Sequence, residues 1–157
     1  MPTEIFHLKT LEIMWQRIQT LYLAIASVLT GSLFFCRMAT VLGPDGASVE
    51  IMYHERLAFL LFMISLLSAN EIALLTFKAR ILQMRLCVLA ALLLTGFQIW
   101  IGCDFFRYRN DMIFSFTAVF PAVAAILDLL AARAIALDEA MVQSASRLRG
   151  PRKGRKN

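Results

Sequence analysis

Four apolar runs decide most of what this chain can become. They cover residues 18–36, 57–77, 86–103 and 112–130. Each is close to the ~20 residues that a helix needs to cross a hydrocarbon core of ~30 Å. In lipid, only helices and closed barrels satisfy their own backbone hydrogen bonds. Barrel strands alternate apolar and polar residues, and these runs do not. The expected fold is therefore an all-α integral membrane protein, a bundle of four transmembrane helices. Composition agrees, because 59% of the 157 residues are hydrophobic and only 17% charged. A soluble domain has about half and about a quarter.

Charge orients the bundle. Twelve of the sixteen Lys and Arg fall before the first run, between the second and third, or after the fourth. Only Arg37, Arg56, Arg107 and Arg109 fall on the other side. Basic residues that flank short loops stay cytoplasmic, so both termini are expected inside. The first run is a retained helix, since bulky residues in FFCRMA stand where a signal peptidase needs small ones. Residues 1–13 form an N-terminal extension, with Met14 as an alternative start; the membrane domain is expected over 14–149.

The connections differ in character. Thr40-Val41-Leu42 and Val49-Glu50-Ile51 flank the turn sequence Gly43-Pro44-Asp45-Gly46, which predicts a small periplasmic hairpin. The second connection, Lys78 to Arg85, is short and basic. Beyond Leu130 the fourth helix is expected to continue over 131–149 as a cytoplasmic extension. Apolar Leu137, Met141, Ala145 and Leu148 recur along it every three or four residues, a candidate partner-contact stripe. Gly150-Pro151 ends it, and 150–157 reads as a disordered basic tail. That tail is expected to attract anionic lipid headgroups. It lacks aromatics for base stacking, which disfavours nucleic acid.

Small residues mark packing faces in lipid. Ser27 and Gly31 do so in the first run, Ser65 and Ser68 in the second, Ala91 and Gly102 in the third, and Ala125, Asp128 and Ala132 in the fourth. Pro121 is expected to bend the fourth helix. Two acids stand inside the apolar runs. Glu71 precedes Lys78 by seven residues and Asp128 precedes Arg133 by five, roughly 10 Å and 7.5 Å within the cytoplasmic edge. Both are expected at similar depth in the cytoplasmic half of the bundle, and Asp128, on the packing stripe of its helix, is expected to point inward. Intramembrane acids are candidates for proton or cation relays. The alternative is a buried polar clamp holding helix ends together, or acids wetted near the interface, favoured here because charge costs less near the headgroups.

No catalytic signature stands out. HERLA begins like a zinc-protease helix but has Ala58 where a second His is required. No phosphate-binding loop or nucleophile elbow occurs. No cofactor or metal site is expected. Cys36 and Cys103 fall at the same membrane edge, where a disulfide would fit; small apolar fillers are the favoured reading.

Three stretches carry a resemblance: MWQRIQTLYL before and within the first run, KARILQMRLC in the second connection, and RAIALDEAMVQSASRLR after the fourth run. Together they are similar to DUF4293, a family of small four-span inner-membrane proteins of Bacteroidetes-type bacteria. The resemblance spans Met14 to Arg149 and implies architecture and the bacterial inner membrane, with no activity. Its members begin at the methionine matching Met14 and tend to carry basic residues where this chain has Ala136-Leu137. The three stretches lie on the expected cytoplasmic side. With the two acids they suggest a polar network of Gln16, Arg17, Gln19, Glu71, Arg80, Gln83, Arg85, Asp128, Arg133, Asp138 and Glu139. In it, arginines would neutralise Glu71 and Asp128. The expected function is that of a non-catalytic accessory subunit or scaffold, with a membrane-protein partner or a second copy of itself. A small proton-coupled transporter or channel subunit using Glu71 and Asp128 is the alternative.

Overall fold

The computed structural model describes residues 18–42, 47–108, 110 and 112–148. Helix α1 covers residues 18–32 and tightens into a 3-10 turn at Leu33–Phe35. Helices α2 (Leu57–Leu75), α3 (Arg80–Tyr108) and α4 (Phe120–Leu148) follow. Among the described residues, four helical segments are long and apolar enough to cross a membrane: Ile18–Phe35, Leu57–Leu75, Arg80–Tyr108 and Phe116–Ser144.

The hydropathy reading misplaces the start of the fourth segment. Strands β1 (Arg37–Leu42) and β2 (Ser48–Met52) form the expected antiparallel pair, with Thr40 opposite Glu50 and Val41 opposite Val49. The turn sequence 43–46 lies outside the described residues. A third strand, β3 (Met112–Phe114), pairs with the other edge of β1, setting Ala39 opposite Phe114 and Val41 opposite Met112. These residues count as helix in a hydropathy window, because an apolar run carries no period of its own. Pairing covers a β1 edge that would otherwise be open. A 3-10 turn at Phe116–Val119 then leads into α4. Pro121 consequently stands in the first turn of α4, where its missing N–H interrupts no helical bond. No bend follows from it.

The helices run alternately between two ends of the bundle. The sheet caps one, the sheet end. The other is the turn end, where Thr76–Ala79 joins α2 to α3 and the Gln83 N–H already bonds the Ala79 carbonyl at 2.9 Å. Helix α3 packs against both α2 and α4. At the sheet end its contact with α2 is aromatic: Phe62 stacks on Phe97 at 5.5 Å, and Phe59 meets Phe97 and Trp100 edge-on at 5.3 and 5.0 Å. Arg56 clasps the start of α2 to the end of α3, donating to Asp104 Oδ2 at 2.6 Å. Between α3 and α4 the interior is finer-grained: Leu94 shares one buried cluster with Ala124 and Ala125, and Cys87 shares another with Ala131 and Ala132. Small side chains at such a contact allow helix backbones to approach closely.

The serines of α2 depart from the small-residue rule. Ser65 and Ser68 are exposed and return their hydroxyls to the Leu61 and Ser65 carbonyls at 2.9 Å. A hydroxyl bonded within its own helix can face lipid. The interior face of α2 is instead Phe59, Met63, Leu66, Asn70 and Ala73. Cys36, Cys87 and Cys103 are all free thiols.

At the sheet end Tyr53 is wholly buried, and burial holds its hydroxyl above the ordinary value of 10.0. Its neighbour Thr117 donates to the Arg37 carbonyl at 2.9 Å, and the phenol makes no well-formed hydrogen bond among the described residues. The neutral phenol is thus the form the fold favours. The stability it lends is fully present below the ordinary value and is lost as pH rises through the higher, folded one. Tyr53→Phe should cost little at neutral pH and flatten the alkaline fall in stability. Melting curves at about pH 8 and about pH 11 test this; an unchanged alkaline fall would assign it to other groups.

Candidate functional site

The polar residues of interest gather toward the turn end, in two layers. The outer layer is an ion pair. Arg80, the first residue of α3, donates to Asp138 Oδ2 of α4 at 2.5 Å. Its carboxylate side chain is only 7% exposed, whereas the Arg80 side chain is 33% exposed. Gln83 is buried one turn along α3, and Glu139 accepts a bond from Gln143 at 3.2 Å. Lys78, Arg80, Arg85 and Glu139 line an open cleft of about 510 Å³ beside the pair.

The inner layer lies within the apolar segments. Asp128 is fully buried, and neither carboxylate oxygen has a hydrogen-bond partner among the described residues. Cys87 of α3, also buried, is within electrostatic range of it. On the α1–α2 side, the buried Asn70 amide donates to Thr30 Oγ1 at 3.5 Å, while Asn70 Oδ1 and Ser27 Oγ have no partner among the described residues. Gln19 is buried, and its Nε2 has no partner among the described residues. A buried polar atom without a partner costs about 1–3 kcal/mol, and a charged one more. This layer therefore holds unspent polarity, concentrated at Asp128.

The structure assembles only part of the expected network. Arg80 and Asp138 pair, and Gln19, Gln83 and Asp128 face inward. Glu71 does not. It is exposed on α2, with no hydrogen bond or ion pair among the described residues. Its neighbour Asn70 takes the interior place, because adjacent helical residues point ~100° apart and the inward phase belongs to Met63, Leu66, Asn70 and Ala73. Arg85 and Arg133 are exposed and neutralise neither acid. Gln16 and Arg17 lie outside the described residues, as do the extension 1–13 and the tail 150–157. The network reading passed over Asn70, Thr30 and Cys87. The phase of the α2 face carried a signal for Asn70; nothing in single positions marked the other two.

Beyond the ion pair α4 continues for ten residues to Leu148, roughly 15 Å at 1.5 Å each. Leu137, Met141 and Val142 on this stretch are 46%, 51% and 43% exposed. The side chains of Ala145 and Leu148, the rest of the expected stripe, lie outside the described residues. Among those described, no group of three His, Cys, Asp or Glu is placed to hold a metal ion.

Fold and site together define a small protein with four helices long and apolar enough to cross a membrane, compatible with a multi-pass membrane protein, with a polar turn end and a three-stranded cap. Residues 15–148 match the family described as a domain of unknown function, DUF4293, and the chain belongs to it. A search among curated proteins finds no match.

Proposed function

We propose that this chain is a non-catalytic inner-membrane protein with cytoplasmic termini, an accessory subunit or scaffold that presents the end of α4 to a membrane-protein partner. The exposed row Leu137, Met141 and Val142 carries the reading. It stands at and beyond the Arg80–Asp138 pair, where the helix leaves the level of the α2–α3 turn. Large apolar side chains at a membrane–water boundary favour burial against a partner. The ion pair anchors the base of this helix, which limits the ordering cost of docking. The excess of Lys and Arg in the sequence before the first apolar run, between the second and third, and after the fourth supports the cytoplasmic assignment.

Mild cross-linking, gentle-detergent extraction and mass spectrometry of what is retained test the proposal. A stoichiometric partner is expected. Met141→Glu should lower its recovery at least tenfold (a loss of about 1.4 kcal/mol or more) with the melting temperature of the isolated chain unchanged. Recovery of the chain alone, or equal recovery with Met141→Glu, overturns it.

A second reading rests on Asp128. A wholly buried carboxyl without a hydrogen-bond partner among the described residues is the arrangement from which intramembrane proton sites are built. A small proton-coupled transporter or channel subunit would use Asp128. Glu71, exposed and some distance in phase from the interior, does not support the shared role expected of it.

A further inference from the structure

The register between α3 and α4 places two arginines at one level on a shared groove. Arg80 bonds Asp138, and the two helices run in opposite directions. Five residues onward along α3 stands Arg85; five residues back along α4 stands Arg133. Both therefore sit at one height, roughly 7.5 Å from the ion pair toward the sheet end. They line a single groove of about 460 Å³ between the helices, whose other walls are Met84, Val88, Leu129, Ala132 and Ala136. No acid lines this groove, and neither arginine has an ion-pair partner among the described residues. Val88 and Leu129 are 40% and 51% exposed, so the groove opens on the outer face of the bundle.

We infer that this groove is a binding site for one anionic phospholipid, its phosphodiester held between Arg85 and Arg133 and an acyl chain lying along Val88 and Leu129 over Ala132. The inference rests on reading the helices as membrane spans. Charge complementarity names the occupant. Two guanidinium groups at one level repel unless an anion lies with them, and arginine presents a planar fork that matches phosphate oxygens. Length and polarity exclude a purely soluble anion as the best fit. The lining is apolar below the arginines, and that surface is the one hydrocarbon would cover. Ala132 and Ala136, being small, leave the room that bulkier residues would fill. Basic pockets between spanning helices at the cytoplasmic side are the recurrent form of such sites. The site differs from the basic tail, which would attract a lipid surface without selecting one molecule. Arg85 also lines the cleft with Lys78, Arg80 and Glu139; with Arg80 paired to Asp138, the two remaining cations outnumber the one acid there.

The test uses the full chain in nanodiscs of phosphatidylcholine doped with phosphatidylglycerol, followed by release into detergent and native mass spectrometry of retained lipid. One phosphatidylglycerol per chain should remain, with phosphatidylcholine washed away. Arg85→Gln and Arg133→Gln should each lower retention about fivefold, and the pair together roughly thirtyfold. Ala136→Phe keeps both charges and fills the groove; it should lower retention comparably. All three positions are exposed, so folding is read separately by melting temperature. Equal retention of the two lipids, or undiminished retention in the double variant, overturns the site. Loss with the arginine variants but not with Ala136→Phe overturns the groove and leaves only surface attraction. Protection by inorganic phosphate equal to that by lipid would make it a soluble-anion site. A chain that stays in solution without detergent or lipid would overturn the membrane reading, and the site with it.

Discussion

Arg80→Gln is expected to destabilise the bundle by about 2–3 kcal/mol, and Asp138→Asn by about 1–2 kcal/mol. The asymmetry follows from exposure. Removing the Arg80 guanidinium leaves the Asp138 carboxylate, 7% exposed, without its partner and largely without water. Removing the carboxylate charge leaves an arginine whose side chain is one-third exposed and can turn to solvent. A fully buried pair broken on one side costs ~3–5 kcal/mol and an exposed one ~0–1 kcal/mol, which brackets these values. The double variant should cost less than the two singles summed, by about 1 kcal/mol or more, because the second change removes the orphan left by the first. Melting of the four proteins in one detergent measures all three terms. If Asp138→Asn proved the costlier single change, Asp138 would have a further partner outside the described residues. The pair also anchors the base of the α4 extension, so partner recovery should fall with Arg80→Gln even where the chain still folds.

Sequence made the apolar segments legible because length and composition alone decide them. The β1–β2 hairpin was legible from Gly43-Pro44-Asp45-Gly46 between two β-branched runs. Strand β3 was not. Met112-Ile113-Phe114 is apolar and continuous with the segment after it, and only the distant edge of β1 makes it a strand. Glu71 and Asn70 illustrate a second limit. A hydropathy window averages over all faces of a helix, so it detects a span but loses its phase. Counting positions along Met63, Leu66, Asn70 and Ala73 recovers the phase and exchanges the roles of these two neighbours. The Arg80–Asp138 pair needed a third kind of information. Both residues stood among the polar candidates, yet their pairing depends on the antiparallel register of α3 and α4, which the cap at the sheet end sets. The same register brings Arg85 to Arg133, although each looks in sequence like an ordinary boundary arginine.

Asp128→Asn is expected to raise stability by about 1–3 kcal/mol, the opposite of what substitution in a packed interior usually does. The side chain is wholly buried, and its two oxygens lack partners among the described residues. An ionised carboxylate so placed costs several kcal/mol. Asparagine has nearly the same shape, cannot ionise, and disturbs little of the surrounding alanine packing. Melting in detergent at neutral pH reads the sign directly. A loss of stability would mean that the carboxyl is bound by something beyond the described residues, and Gln16 and Arg17 just before α1 would be the first to substitute. With a gain, the two functional readings separate on a second measurement. Partner recovery unchanged by Asp128→Asn, with no proton-driven flux in wild-type liposomes, leaves α4 as the working surface and Asp128 as a tolerated cost. Flux present in the wild type and lost in the more stable variant would mean that the unsatisfied carboxyl is kept for proton binding. Stability and activity would then be opposed at one side chain, as the lack of a partner for that carboxyl implies.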